Sequence, residues 1–152
     1  MSKRKGYTLI ELITVLALIS ILLLFSVPNV AFLYKYREYN EIKQFEKDLK
    51  HVRATALIEN VPATIFIDIS NNRYKIIKYN EVVKEYNFQH GVNLKSINTS
   101  DKYLASGGSS IEFKTTGAPS SAATIVFDTK NYGTYNITIN VATGRINIKT
   151  IR

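Results

Sequence analysis

The stretch KRKGYTLIELITVLALISILLLFSV, residues Lys3 to Val27, decides how the rest of the chain is read. Three bases and a glycine precede a run of 21 residues, Tyr7 to Val27, that carries one charge, Glu11. As a helix the run is about 31 Å long at ~1.5 Å per residue, close to the ~30 Å of a bilayer's hydrocarbon core. The basic stub favours a cytoplasmic N-terminus. A carboxylate in hydrocarbon is costly unless it finds a partner or reaches the interface. Glu11 lies near the cytoplasmic end, where snorkelling lowers that cost. A secretory signal peptide would have a shorter apolar run and a small-x-small cleavage site after it, and this run has neither. A plain signal anchor explains the length and the charge bias but gives Glu11 no purpose.

Beyond the run, Pro28 can kink a helix, because it removes a donor and clashes one turn back. From Asn29 to about Asn60 breakers are few. Ile42, Phe45, Leu49, Val52 and Ala56 recur at three- and four-residue steps, one face of a helix. Glu41, Lys43, Lys47, Asp48 and Arg53 are expected on the solvated faces, with Glu46 and Lys50 spaced for a surface pair. Pro62 ends the helix at Asn60 or Val61. Tyr34, Tyr36 and Tyr39 fit an interfacial aromatic belt, core packing or contact with a neighbour equally well.

After Pro62 the period changes to two. Ile65, Ile67 and Ile69 alternate with Thr64, Phe66 and Asp68, and Asn71-Asn72 turns the chain into Arg73–Tyr79. Val82–Tyr86 and Val92–Ile97 are shorter strands. Ser106-Gly107-Gly108-Ser109 is expected as a flexible break, and Thr116 to Ala123 as a loop. Ile125 and Phe127 share a face. Tyr135, Ile137, Ile139 and Val141 alternate with polar residues, as do Ile146 and Ile148 after the Thr143-Gly144 turn. The pattern predicts an antiparallel sheet with one wet face and a dry face over the helix. The fold class is therefore α+β, a long N-terminal helix on a small antiparallel β domain.

Composition narrows the chemistry. The chain has 152 residues and no cysteine, which excludes disulfides, thiolate metal sites and a cysteine nucleophile. The net charge is +8, and +5 once Lys3, Arg4 and Lys5 are set aside, which permits an anionic partner without demanding one. His51 and His90 lack metal-ligand spacing, and no phosphate loop, serine elbow or paired-carboxylate motif occurs. No catalytic residue, metal or cofactor is expected, and the chain is not read as an enzyme.

Lys3-Arg4-Lys5-Gly6-Tyr7-Thr8-Leu9-Ile10-Glu11-Leu12 resembles the N-terminal signal of type IV prepilins and pseudopilins. The resemblance implies that a prepilin peptidase cuts after Gly6 and methylates the new amine of Tyr7. The family more often has Phe at that place. It further implies that Glu11 guides assembly. The amine freed at Tyr7 of one subunit can meet the Glu11 carboxylate of a neighbour, and in a helix bundle the pair compensates two costly charges. Pilin-like chains often carry a proline where Pro28 stands.

Thr124-Ile-Val-Phe-Asp128, Tyr132-Gly133 and the closing Gly144-Arg145-Ile146-Asn147-Ile148 resemble the GspH and FimT type of minor pilins. On these resemblances residues 1–6 are a cleaved leader, 7–28 a transmembrane and filament-core helix, 29–61 its amphipathic continuation, and 62–152 the β domain. The implied role is a minor pilin or pseudopilin of a type IV pilus, a type II secretion pseudopilus or a competence pseudopilus. Its implied partners are the peptidase, other subunits and the cytoplasmic membrane, which it spans once before joining an envelope or surface filament. A second reading is a DNA-binding minor pilin. After Asp128 the chain has four bases and no acid, and Arg145, Lys149 and Arg152 could meet phosphates. Against it stands an edge strand whose Lys and Arg block edge-to-edge pairing. A third is an anchored binding domain that joins no filament.

Overall fold

The computed structural model describes residues 6–26, 30–100 and 103–151. The leader residues before Gly6, the proline at 28 and Arg152 lie outside the described residues, and so do the kink expected at Pro28 and the contact expected at Arg152. The chain divides into two compact units, the first ending at Leu33 and the second beginning at Tyr34.

In the first unit, helix α1 covers Leu9–Ser26. It is apolar all round, and Leu9, Ile10, Leu12, Leu16, Leu22 and Leu24 are all exposed. The hydroxyls of Thr14 and Ser20 donate back to the carbonyls of Ile10 and Leu16, which hides the only two polar side chains after Glu11 that the run holds before Ser26. Among the described residues no helix is long and apolar enough to cross a membrane.

Helix α2 runs Val30–Glu59 and supplies the spine of the second unit. Asn60 adopts a left-handed conformation (φ 55°) and closes the helix two residues before Pro62. The face expected from spacing is the buried one: Ile42, Phe45, Leu49 and Ala56 are fully enclosed and Val52 nearly so.

Among the described residues nine strands follow: β1 Ala63–Asp68, β2 Arg73–Lys78, β3 Glu81–Asn87, β4 Val92–Thr99, β5 Tyr103–Leu104, β6 Gly108–Phe113, β7 Ala123–Thr129, β8 Gly133–Ile139 and β9 Ile146–Ile151. They make two antiparallel sheets where the sequence pattern led us to expect one. The orders are β3-β2-β1-β6 and β5-β4-β7-β8-β9. The division arises because β6 returns to pair with β1, Ile111 opposite Ile65, while β7 pairs with β4, Ile125 opposite Ile97.

The crossing into β6 is anchored, which corrects the flexible break expected at Ser106–Ser109. Gly107 accepts from the Ile69 amide at 2.8 Å and donates to the Ser70 hydroxyl at 2.9 Å. Gly108 lies so close to the Phe66 ring that a Cβ there would stand 2.4 Å from it. A bare backbone is needed for contact, not for motion.

The two sheets meet around Phe45. Its ring makes edge contacts with Tyr74 of the first sheet at 4.9 Å, Phe127 of the second at 5.2 Å and Phe88 of the linking segment at 5.8 Å. Asn72 adds a polar tie at the turn after β1. Its side chain accepts from the Leu94 amide at 2.8 Å and donates to the Val92 carbonyl at 2.9 Å.

The expectation that helix charges face water is overturned for Glu41 and Asp48, both 6% exposed. The physical reason is that donors from the first sheet and its following turn point at α2: the Gln89 amide after β3 at Glu41, and Tyr74 of β2 and Lys84 of β3 at Asp48. Tyr34, Tyr36 and Tyr39 are exposed, so core packing does not account for them.

Phe45→Ala is expected to destabilise the domain by about 3–5 kcal/mol, because it removes a fully buried helix ring that touches both sheets. Urea unfolding of the variant against the parent chain measures this.

Candidate functional site

Two places in the structure carry polar groups whose positions need explaining, the inner face of α2 and the start of α1. On α2 four carboxylates are buried: Glu38 at 0%, Glu41 at 6%, Glu46 at 8% and Asp48 at 6% exposure. Three of them reach into the sheets. Glu38 takes the backbone N–H of Asn131 at 3.1 and 3.2 Å and its side-chain amide at 2.5 Å, which fixes the turn between β7 and β8. Glu41 accepts from the Gln89 amide at 3.0 Å, the Tyr86 hydroxyl at 3.2 Å and the His90 Nδ1–H at 2.8 Å. Asp48 accepts from Lys84 at 2.6 Å, Gln44 at 3.1 Å and the Tyr74 hydroxyl.

These contacts shift the phenols. Burial, followed by the hydrogen bond to Asp48, holds the Tyr74 hydroxyl far above its ordinary range. Tyr86 is pushed up to about 12 by burial and by the charge of Glu41. Both phenols therefore act as fixed neutral donors. Glu46 instead faces along the helix. Burial raises it, but hydrogen bonds from Lys50 and Lys43 outweigh that and hold it below its ordinary value. The Glu46–Lys50 pair expected from spacing is present at 2.7 Å.

One turn further on, Arg53 reverses the polarity. Its guanidinium donates to the Gly117 and Thr143 carbonyls, both at 3.0 Å. Gly144 (φ 60°) sits against it, and a Cβ there would lie 2.7 Å from Arg53 Nε. The glycine of the Gly144-Arg145-Ile146 motif thus makes room for a helix cation.

At the other end of the chain, Gly6 and Tyr7 are exposed and precede the helix. Tyr7 is 87% exposed, and nothing lies within 4 Å of where a Gly6 Cβ would stand. Thr8 caps α1: its hydroxyl accepts the Glu11 amide at 3.3 Å and its carbonyl the Leu12 amide at 3.2 Å. Thr8-x-x-Glu11 is the spacing of a capping box, and a first-turn acid is favoured by the helix dipole. Glu11 has a reason to stand here in the single chain, before any neighbour arrives.

Arg145 and Lys149 are both exposed, Arg145 just before β9 and Lys149 within it, opposite Asn136. β9 is the outer strand of its sheet, the place where cations oppose edge pairing. Among the described residues no group of three or more His, Cys, Asp or Glu side chains is placed to hold a metal.

The sequence reading missed Glu38 as a structural residue and took Glu41 and Asp48 for surface charges. The signal was present. Residues 38, 41, 45, 48 and 52 follow three- and four-residue steps, so the acids share the stripe of the apolar residues.

Comparison with known proteins agrees with both ends of this picture. Residues 1–27 match the family described as the prokaryotic N-terminal methylation motif. Residues 41–144 match the family described as type II transport protein GspH. No curated protein matches the chain in sequence. Among solved structures, the minor pseudopilin EpsH from the type 2 secretion system of Vibrio cholerae is similar in fold. The TM-score is 0.60 at 10% identity, over 75% of this chain and 96% of that one.

Glu38→Ala removes the hydrogen bonds from Asn131 to a buried carboxylate and is expected to cost about 1–3 kcal/mol, and Glu38→Gln less, as read by denaturant midpoints. A pH series tests a second set. Asp68, hydrogen-bonded by Asn71 and Arg73, and Asp128, hydrogen-bonded by Thr134 and Lys95, are held below their ordinary value of 3.8, as Glu46 is below 4.5. Carboxylates lowered by folding stabilise the fold above their unfolded values and lose that contribution as pH falls through the folded ones. Unfolding midpoints should therefore drop as pH falls below 4.5, and the drop should shrink in Asp68→Asn and Asp128→Asn.

Proposed function

We propose a role that proceeds from one fact: this chain belongs to the GspH family of type II transport proteins. It is a minor pseudopilin subunit of a type II secretion or type IV pilus system, a structural component that assembles with other pilin or pseudopilin subunits. Its work on this reading is assembly and not catalysis.

The observation that carries the finer reading is α1, an apolar helix with exposed side chains on every face and one capped acid in its first turn. So much exposed apolar surface calls for a cover, either lipid or other helices. The chain is held in the cytoplasmic membrane by this segment, N-terminus inward, until it passes into the filament. A prepilin peptidase cuts after Gly6, where the backbone is open and not yet helical, and methylates the amine of Tyr7. The Glu11 carboxylate then receives the freed amine of an adjacent subunit. The cap accounts for the three-residue spacing of Thr8 and Glu11, and the charge pair accounts for the acid.

N-terminal analysis of the chain isolated from assembling cells should find methylated Tyr7 as the first residue; a retained Met1 would overturn this reading. Glu11→Ala should be processed normally yet enter filaments poorly. Glu11→Gln separates the two roles, since a capping box accepts Gln while a charge pair does not. The reading expects Glu11→Gln to fail in assembly as Glu11→Ala does, and wild-type incorporation of either variant would refute the charge pair.

A further inference from the structure

Between Tyr34 and His51 the charges of α2 are sorted by sign. All four carboxylates there, Glu38, Glu41, Glu46 and Asp48, are at most 8% exposed. The exposed charged side chains, Lys35, Arg37, Lys47 and Lys50, are all cations. Lys50 shares Glu46 with Lys43, and among the described residues Lys35, Arg37 and Lys47 form no ion pair.

The first of these residues form a ring. Tyr34, Lys35, Tyr36 and Arg37 are consecutive, and at about 100° per residue they surround the helix. All four are exposed, with Tyr34 at 48% and Tyr36 at 56%. Glu38, the next residue, would put a negative charge in the ring, but it is turned inward and held by Asn131. Beside the ring lies a cavity of about 410 Å³ lined by Tyr34, His90, Gly91, Lys130 and Asn131, which adds a further cation at the same level.

We propose that Tyr34, Lys35, Tyr36 and Arg37 form a collar for anionic lipid headgroups, with phosphodiesters held by Lys35, Arg37 and Lys130. Three features select this occupant. The collar is aromatic and cationic on all sides, as a helix meeting a headgroup layer requires and a one-sided protein contact does not. From Tyr34 to Tyr39 the helix rises about 7.5 Å at ~1.5 Å per residue, near the ~5–8 Å of headgroup on each side of a bilayer. It also follows α1 closely in the sequence, with seven residues between Ser26 and Tyr34. The inference rests on the membrane-held stage proposed above and gives that stage a lipid preference.

The test uses the full chain in lipid nanodiscs. The chain has no cysteine, so Asn40→Cys takes a single fluorophore just beyond the collar. Its quenching by headgroup nitroxide lipids is compared in discs of phosphatidylcholine alone and discs containing phosphatidylglycerol. Stronger quenching with the anionic lipid is expected, weakened by salt. The gain should vanish in Lys35→Gln/Arg37→Gln and persist in Lys35→Arg/Arg37→Lys, which controls for folding. Lys47→Gln, three turns away, should leave it intact. Equal quenching in both discs overturns the collar alone. Loss in Lys47→Gln also overturns it, since an extended polyanion such as DNA lying along α2 would act that way. Failure to incorporate into either disc overturns the membrane-held stage and this inference with it.

Discussion

The domain depends on the inward carboxylates of α2. A helix that buries acids on its inner face must find donors for them, here chiefly turn amides, because a buried charge without a partner is costly. Glu38 and Glu41 accept such amides from Asn131 and Gln89, and Asp48 collects Lys84 and Tyr74 instead. Apolar contact through Phe45 supplies attraction without direction. The carboxylates supply the direction, since each meets its own donors at one height along the helix, and Arg53 continues the series with carbonyls as partners.

This arrangement has an electrostatic consequence. With its acids between Tyr34 and His51 turned inward, that part of α2 presents cations outward, and part of the basic excess seen in the composition gathers on one stretch of helix. The same sequence pattern therefore sets both the packing of the domain and the character of what it can meet.

Much of this was legible in the sequence. The apolar stripe from Ile42 to Ala56, the stop before Pro62 and the alternation in Tyr135 to Ile139 gave the helix and the strands, because burial imposes their periods directly. The division into two sheets was not legible. Alternation says which face of a strand is dry, but not which strand lies beside it, and the β1–β6 pairing joins segments that no local turn connects. The acids on α2 were misread for a related reason. A charge on an amphipathic helix is assigned to water unless its partner is known, and these partners lie far along the chain. The N-terminal motif was legible because its residues are contiguous. The capping role of Thr8 is visible only in the structure, where its hydroxyl accepts the Glu11 amide.

The reach of one of these contacts bears on how the chain comes to be folded. Glu38 and Asn131 are 93 residues apart. The spine helix is made early and the turn that satisfies its first buried acid is made late. Until then Glu38 must stay hydrated, so the part of the helix nearest α1 cannot seal against the sheets. Closure of the domain at that end is thereby tied to the synthesis of its last third, and a truncated chain would carry an unquenched charge at the base of its spine.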